Sequence, residues 1–424
     1  MSSKTAELRN IPASWQSGEL RSFLDLITYG FTNPMPDAEV GPWKITAKDV
    51  IDGRINYATA RKTTAEAFIE KLTDKSRPKV GDVLLTKDGS IGRVAVVDCD
   101  GVCINQSVAL LRPNRRINSH FLKYLLLSPH YQRVMEGDSD GSTIKHIYIT
   151  RVDKMQVLVP PLLEQESIFQ LVGSIDDRIT LLRETNSTLE AIAQTLFRSW
   201  FVDFDPVHAK AVGLEPEGMD AATAALFPSS FEESEQGLVP AGWELQKVQD
   251  LMELSYGKAL KATDRIDGPV PVYGSGGVTG SHNKSLVNGP SVIVGRKGTV
   301  GSLYWEDRPF FPIDTVFYVR TDKPLTYCYC LLKTLGLESM NTDGAVPGLN
   351  RNNVYRLPVV VATKSILESF DKIVFSLRKK MFSNNQLAQT LTQLRDTLLP
   401  RLISGQLRLP EATAATEKIL SEAI

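Results

Sequence analysis

The chain has 424 residues, with 48 Lys plus Arg against 49 Asp plus Glu, a formal net charge of -1, and 42% hydrophobic residues. These values exclude a wholly disordered, a collagen-like or an all-acidic solvating chain, and the length predicts two or three domains with cores of their own. Taken whole, a net charge so near zero argues against a nucleic-acid binder, because such proteins carry a basic footprint.

The start, Met1-Ser2-Ser3-Lys4-Thr5-Ala6-Glu7, is polar and lacks the apolar centre of a signal peptide. No apolar run approaches the ~20 residues of a membrane helix, so a cytoplasmic protein is expected. Strands are predicted at Val83-Leu84-Leu85, Val94-Ala95-Val96-Val97 and Val108-Ala109-Leu110-Leu111, set off by Gly and Asp turns. A short helix follows over Phe121 to Leu127, ended by Pro129. After Pro160-Pro161 a long helix begins. Ile168, Val172, Ile175, Ile179, Leu182, Asn186, Leu189, Ala193, Leu196 and Trp200 fall at alternating steps of four and three, a heptad seam with one polar break. From Phe201 to Gln236 the periodicity vanishes and Gly, Pro, Ala and acidic residues dominate, which reads as a linker with a short helix near Asp220 to Leu226. Further strands are predicted at Ser291-Val292-Ile293-Val294 and Thr315-Val316-Phe317-Tyr318-Val319. A second heptad stripe then runs through Phe370, Val374, Leu377, Met381, Asn384, Ala388, Leu391, Arg395, Leu398 and Leu402. Each long helix spans roughly 60 Å at 1.5 Å per residue, and its seam needs a partner; the other helix is the simplest one.

The second half repeats the first. Ile11-Pro12-Ala13-Ser14-Trp15 returns as Val239-Pro240-Ala241-Gly242-Trp243, and Tyr29-Gly30 as Tyr256-Gly257. Gly89-Ser90-Ile91-Gly92 returns as Gly298-Thr299-Val300-Gly301, Gly141-Ser142-Thr143 as Gly344-Ala345-Val346, and Ile149-Thr150-Arg151 as Leu349-Asn350-Arg351. The offset drifts from 228 to 200, so the second copy is shorter in its interior. The matches keep one order at a spacing far beyond solenoid repeats, which indicates duplication of a whole domain. Duplication favours an antiparallel helix pair related by a pseudo-twofold axis. The expected fold is α+β: two mixed α/β domains separated by two long helices packed as an antiparallel coiled coil. The predicted boundaries are 1–160, 161–204 (long helix), 205–236 (linker), 237–362, 363–409 (long helix) and 410–424 (flexible tail).

Charge is segregated. Residues 1–160 hold 22 basic and 18 acidic side chains, 161–236 hold 4 and 14, 237–362 hold 13 and 11, and 363–424 hold 9 and 6. Both copies are mildly basic, and the acid sits in the first helix and linker. The copies share Lys87 with Arg296 and Arg151 with Arg351. The surrounding loops combine Gly with Lys, Arg, Ser, Thr and Asn, types suited to phosphate contact and base-edge contact, although Gly alone also serves tight hairpins. The candidate DNA contacts are Lys87, Ser90, Arg93, Thr143, Lys145 and Arg151 in the first copy. In the second they are Tyr273, Ser275, Lys284, Arg296, Lys297, Thr299, Asn350 and Arg351.

No catalytic or metal-ligating residue is singled out. Gly295-Arg296-Lys297-Gly298-Thr299 lacks phosphate-loop spacing, and Gly274 to Gly280 misses GxGxxG. Pro36-Asp37 is not followed by Glu-x-Lys in the first copy. The five His (120, 130, 146, 208, 282) share no position between copies, whereas a duplicated active site should duplicate its acid, base or ligands. Cys99, Cys103, Cys328 and Cys330 have no His at zinc spacing and read as small hydrophobes in a reduced cytosol.

Several stretches resemble the specificity (S) subunit of type I restriction–modification enzymes. Leu196-Phe197-Arg198-Ser199-Trp200-Phe201-Val202-Asp203-Phe204-Asp205-Pro206-Val207 is similar to the end of that family's central helical region. Leu398-Leu399-Pro400-Arg401-Leu402-Ile403-Ser404-Gly405-Gln406-Leu407 is similar to its C-terminal helical end. Val270 to Gly277 through Arg296 to Gly301 resembles its target-recognition domain. Pro160-Pro161-Leu162-Leu163-Glu164-Gln165 matches the entry to its first long helix, and the second copy departs there with Val361-Ala362-Thr363-Lys364. The likeness covers the chain up to about Pro410.

The resemblance implies a non-catalytic subunit in which two target-recognition domains each read half of an asymmetric bipartite site on double-stranded DNA. It implies that the helices set the half-site spacing and dock two methyltransferase subunits. Those partners bind S-adenosylmethionine and methylate adenine at N6, motor-nuclease subunits use ATP and Mg, and this subunit holds no cofactor and meets no membrane. A two-site nucleotide- or sugar-processing enzyme and a coiled-coil scaffold without a DNA role are the alternatives. Shared acidic or His clusters would favour the former and are missing; the shared basic positions count against the latter.

Overall fold

The computed structural model describes residues 12–137, 139, 145–341 and 348–422. Thr143 and the paired segments 141–143 and 344–346 lie outside the described residues. The chain divides into two compact units, residues 1–181 with 387–424, and residues 182–386. Both division points fall in the middle of a long helix, so each unit contains half of each helix.

The first unit is built on β1 (Leu24–Tyr29), β2 (Ala38–Ile45), β3 (Arg61–Lys62), β4 (Val83–Thr86), β5 (Val94–Val96), β6 (Val102–Ile104) and β7 (Val108–Pro113). An antiparallel sheet has the order β1-β7-β4-β5. A smaller sheet has the order β3-β2-β6, with β2 and β6 parallel. Every residue of β4 is buried, which explains its unbroken apolar run: it is covered on both faces. The helix Ser119–Leu127 lies against the larger sheet with Phe121, Leu122 and Leu125 inward, and the Asn118 side chain caps it by accepting from the amides of His120 (2.8 Å) and Phe121 (3.2 Å). It ends before Pro129, which opens the next helix, Pro129–Gly137.

The second unit repeats these two sheets. It contains β8 (Glu253–Tyr256), β9 (Val270–Gly274), β10 (Gly277–His282), β11 (Ser291–Gly295), β12 (Leu303–Glu306), β13 (Phe311–Pro312) and β14 (Val316–Arg320). The larger sheet is β8-β14-β11-β12 and the smaller is β10-β9-β13, again with one parallel pair, β9 and β13. The helix Leu325–Thr334 takes the place of Ser119–Leu127. Each unit also has a short two-stranded ladder at the foot of a long helix, Gln16–Glu19 with Gln156–Val159 and Glu244–Lys247 with Pro358–Val361.

The long helices run Leu162–Phe201 and Lys364–Ile403, 40 residues each. Their heptad stripes are the buried faces: Ile168, Val172, Ile175 and Ile179 in the first and Phe370, Val374, Leu391, Leu398 and Leu402 in the second are all nearly inaccessible. The pairing is antiparallel within each unit. In the second, Asn186 bonds to Asn384 and Asn385, Glu190 bonds to Arg378, and Phe201 meets Phe370 edge to face at 5.1 Å. In the first, Asp176 pairs with Arg395 at 2.8 Å and Glu164 with Arg408 at 3.9 Å. Moving forward along one helix means moving backward along the other. The second unit's core is aromatic where the helix pair meets the rest of the unit: Phe197, Trp200 and Phe201 pack on Tyr327, Phe370, Phe227 and Trp243. Fully burying one such ring contributes about 3 kcal/mol, which anchors the helix end.

The short helix expected near Asp220 to Leu226 is present as Ala221–Leu226, capped by Asp220, whose carboxylate accepts from the Thr223 amide at 2.9 Å; a further helix, Asp205–Ala211, lies in the same linker. Lys210 bonds to the carbonyls of Ala224 and Phe227, and Phe227 is buried against Trp200. The tail, expected to be flexible after residue 410, forms the helix Leu409–Glu422. Its Ala, Leu and Glu favour helix, and Ala412 and Thr416, one turn apart, are both buried.

Candidate nucleic-acid interface

The positions shared by the two copies converge on one corner in each unit. Tyr29-Gly30 leaves β1, and Gly30 donates to the Val108 carbonyl at 3.2 Å; Gly257 donates to Val316 at the same distance. A Cβ on Gly30 would lie 1.8 Å from the Ile104 carbonyl oxygen, and one on Gly257 2.1 Å from that of Ile313. Only glycine permits so close a backbone crossing, so this half of the motif is structural. The loop after β4 runs through Gly89 at φ +76°, and the loop after β11 through Gly298 at φ +85°. Their first carbonyls, Lys87 and Arg296, each accept at 2.8 Å, from the amides of Ile147 and Leu349. The glycine loop and the segment ending in the shared Arg therefore sit together in both units.

The shared cations pack on aromatic rings at this corner. Lys87 is buried, lies 5.3 Å from the Tyr29 ring centre and pairs with Asp88 at 2.9 Å; the other carboxylate oxygen of Asp88 bonds to His146. Arg296 and Arg351 lie 5.0 and 4.9 Å from the Tyr256 ring. They also bond to the carbonyls of Asp314 (2.9 Å) and Leu254 (3.3 Å). Arg151 stacks over Tyr148 at 5.0 Å. Such contacts stabilise by about 1 kcal/mol each and fix the cations in place.

The remaining candidates separate by exposure. Ser90, Arg93 and Lys145 are exposed on the first unit's loops, with Arg93 bonded to the Val50 carbonyl at 3.3 Å. In the second unit Lys297 and Thr299 are exposed on the glycine loop, and Asn350 caps the helix Arg351–Tyr355. The Gly274–Gly277 turn is tied to that loop, because the Ser275 carbonyl accepts from Ser302 Oγ at 2.6 Å and from the Tyr304 hydroxyl at 3.2 Å. Lys284 lies beyond the opposite end of β10 and is not part of the cluster. Tyr273, one of the candidate contacts, is buried against Phe310, and its hydroxyl donates to Glu306 at 2.9 Å. It presents no ring to a ligand.

A group in the first unit was not legible from the repeat. Lys44, Lys48, Arg61 and Asn105, with Phe31 and Asp49, line a cavity of about 190 Å³ next to the Tyr29-Gly30 crossing. Beside it Lys62 lies 4.2 Å over the Trp43 ring, and Trp43 packs on Tyr57 at 5.4 Å. The signal was basic residues interleaved with aromatics, Trp43-Lys44 and Arg61-Lys62. Asp37 pairs with Lys44 and Arg61, and the Lys44 bond above all holds its carboxyl below the usual range.

Among the described residues no group of three or more His, Cys, Asp or Glu is placed to hold a metal, and no helix is long and apolar enough to cross a membrane. Cys103, Cys328 and Cys330 are buried, and burial pushes each thiol up to about 12, away from reactivity.

The family profile described as type I restriction modification DNA specificity domain matches residues 35–191 and again 240–388. The chain is similar to the type I restriction enzyme HindI specificity subunit of Haemophilus influenzae, 28% identical over 404 residues covering 78% of this chain and 88% of that one. It is also similar to the MjaIX specificity subunit of Methanocaldococcus jannaschii, 22% identical over 440 residues covering 96% and 97%. The crystal structure of a type I restriction–modification S subunit from M. genitalium matches with a TM-score of 0.59 at 20% identity, over 94% of this chain and 98% of that one, a likeness of fold. With both copies matched, the chain belongs to the type I restriction–modification specificity subunits, the non-catalytic members of systems whose chemistry lies in partner subunits.

Proposed function

We propose that residues 1–160 and 237–362 each read one half of a bipartite site on double-stranded DNA, and that the two halves differ. The carrying observation is the recurrence of one sheet with one glycine-loop corner, bearing different exposed side chains in each copy. A common scaffold with divergent loops suits two readings of one polymer. The exposed cations Arg93, Lys145, Lys48 and Arg61 in the first unit, and Lys297 with Thr299, Ser275 and Asn350 in the second, are the proposed contacts. Arg151, Arg296 and Arg351, held on tyrosine rings, are proposed to approach phosphates. Lys87 supports the corner from inside.

On this reading the paired helices set the half-site spacing geometrically and offer the docking surface for two methyltransferase subunits. Those partners bring S-adenosylmethionine, and motor-nuclease subunits bring ATP and Mg. The regional charge is modest, so phosphate attraction is limited and the lone subunit binds DNA weakly in the cytoplasm where it acts. Sequencing modified bases in cells that express this chain with its methyltransferase partner tests the reading. The expected result is N6-methyladenine at one site made of two unlike halves at fixed spacing. Methylation without a shared motif, or at a short uninterrupted palindrome, overturns it.

A further inference from the structure

In each unit a turn leads from the parallel strand, β6 or β13, into the central strand, β7 or β14, beside the glycine crossing. Its backbone bonds repeat one for one. Asn105 donates to the Ile45 carbonyl and Ile313 to that of Tyr273; Phe31 donates to Ile104 and Lys258 to Pro312. Val108 closes the first turn on the Asn105 carbonyl at 3.0 Å, and Val316 closes the second on Ile313 at 3.1 Å. The Ser107 carbonyl accepts from the Lys87 amide and the Thr315 carbonyl from the Arg296 amide, each at 2.9 Å. These bonds set Asn105-Gln106-Ser107 against Ile313-Asp314-Thr315, so Gln106 and Asp314 occupy one duplicated position.

The residues around that position have duties inside the fold. Asn105 Oδ1 accepts from the Ser107 amide at 3.2 Å and from its hydroxyl, and Ser107 Oγ accepts from the Ala47 amide at 3.0 Å. Ile313 and Thr315 are half-buried. Gln106 and Asp314 are exposed, and neither side chain bonds to another described residue. Arg296 donates to the Asp314 carbonyl oxygen at 2.9 Å and leaves the carboxylate free. The turn is closed by backbone, so neither side chain is needed to hold it. An exposed acid on a corner otherwise lined by Arg296, Lys297 and Arg351 repels phosphate, and that cost is offset only where the carboxylate meets a hydrogen-bond donor.

We infer that this duplicated position reads one base in each half-site, an adenine through Gln106 and a cytosine through Asp314. The inference rests on the proposed reading of two unlike halves and names one base in each. In the major groove adenine shows the N7 acceptor beside the N6 donor, which a Gln amide matches with its own donor and acceptor. Guanine shows two acceptors there, one of which would face the Gln carbonyl. An ionised carboxylate only accepts. Cytosine N4 offers it a donor with no acceptor beside it on the same base, whereas on adenine N7 would stand against the second carboxylate oxygen. One scaffold position thus asks for opposite patterns in the two copies.

Sequencing modified bases in cells expressing the full chain with its methyltransferase partner gives the wild-type site. A site without two halves overturns the proposed reading itself, and this inference with it. Given two halves, the assembled methyltransferase complex is titrated with the cognate duplex, a scrambled duplex and duplexes changed at one base pair at a time. Gln106→Ala should cut discrimination at one A·T pair of one half-site about ten- to hundredfold, and Asp314→Ala at one C·G pair of the other. Gln106→Glu should move the preference at its pair from A·T toward C·G. Asp314→Ala should weaken the cognate duplex and tighten the scrambled one, because the acid no longer repels phosphate; a carboxylate that is surface charge alone would tighten both. All three variants should melt at the wild-type temperature. Unchanged discrimination with either alanine, loss spread over both halves, tightening of both duplexes by Asp314→Ala, or a lowered melting temperature, which would make the position structural, overturns the inference.

Discussion

In the first unit the strand carrying Trp43 and Lys44 runs out into an excursion, residues 46–60, before meeting its partner strand at Arg61; in the second the matching strand turns back within Gly274–Gly277. Around that difference the two units are the same object, with one sheet order, one glycine crossing and one loop tied to the segment that ends in Arg. The loops differ in charge as well. The first begins Lys87-Asp88, a pair that neutralises itself, and the second Arg296-Lys297, where both residues are basic. Residues common to the copies therefore hold the corner. Residues in which they differ face solvent: Lys48 from the excursion and Arg61 from the strand after it in one, Lys297 and Thr299 from the glycine loop in the other. Sharing between duplicated domains marks scaffold here, and divergence marks the surface that can discriminate.

The attachment of each sheet to the helices sharpens the comparison most. At the duplicated position 176/378, Asp176 accepts from the Tyr124 hydroxyl at 2.8 Å, and Arg378 stacks at 4.2 Å on Tyr329 and 5.0 Å on Trp305. The Arg378 side chain is 7% exposed and that of Arg395 29%. Arg378→Ala leaves Glu190 inside with one cation fewer and should cost about 3–5 kcal/mol in urea unfolding, whereas Arg395→Ala should cost about 1–2 kcal/mol. The pH dependence carries a sign. The folded Glu190 carboxyl is held below the ordinary glutamate range, so its contribution is present above the unfolded value and drains away as pH falls through the folded one. Arg378→Ala should flatten that part of the acid limb; an unchanged limb would show that Glu190 is not held by Arg378.

Next in size are the glycine crossings. Gly30→Ala and Gly257→Ala each drive a Cβ to within about 2 Å of a backbone oxygen that cannot swing away. Each should cost about 3 kcal/mol, and by similar amounts, as overpacking against backbone does. A cost below about 1 kcal/mol at either site would break the claim that the shared corner is scaffold.

Smaller is Tyr273→Phe. It removes one buried hydrogen bond to Glu306 and should cost about 1 kcal/mol of stability with no change in the methylated site. A changed second half-site, read by base-modification sequencing, would return Tyr273 to the reading surface.

Much of the architecture was legible because it rests on period and repetition. The heptad stripes from Ile168 to Trp200 and Phe370 to Leu402 follow from the bulk of apolar residues alone, and the central strands from their unbroken runs. The tail helix leaves little signal in the sequence because Ala412 and Thr416 bury through small side chains rather than large apolar ones. The site was harder. Repetition exposed the shared corner but pointed toward its supports, so Lys87 was weighed like Lys297 although one is buried and the other exposed. The cavity by Lys48 and Arg61 escaped because a feature present in one copy leaves no echo, and its residues are separated in sequence by the excursion that folds them together. The Gly-Ser-Gly-Gly that follows Tyr273 forms, in the fold, a tight turn bonded to the neighbouring loop, which local composition does not reveal.

The smallest expected difference between the units lies in how they meet DNA. If the second unit reaches phosphates through Lys297 on its glycine loop and the first through Lys48 on its excursion, each Lys→Ala change should weaken binding of the assembled methyltransferase complex by about 0.5–1 kcal/mol. Each should also lower the dependence of log affinity on log salt by about 0.9, the loss of one neutralised phosphate. The methylated sequence should stay the same, because a phosphate contact positions the protein without reading a base. Asp88→Ala supplies the counterpart: it frees Lys87 from its partner and adds a unit of positive charge to the first loop, so binding should strengthen slightly and the salt slope steepen. Titrations at several salt concentrations with cognate and scrambled duplexes separate these outcomes. A change confined to the cognate duplex would make Lys297 or Lys48 a base reader. No change in slope for either would move the DNA to another face of that unit.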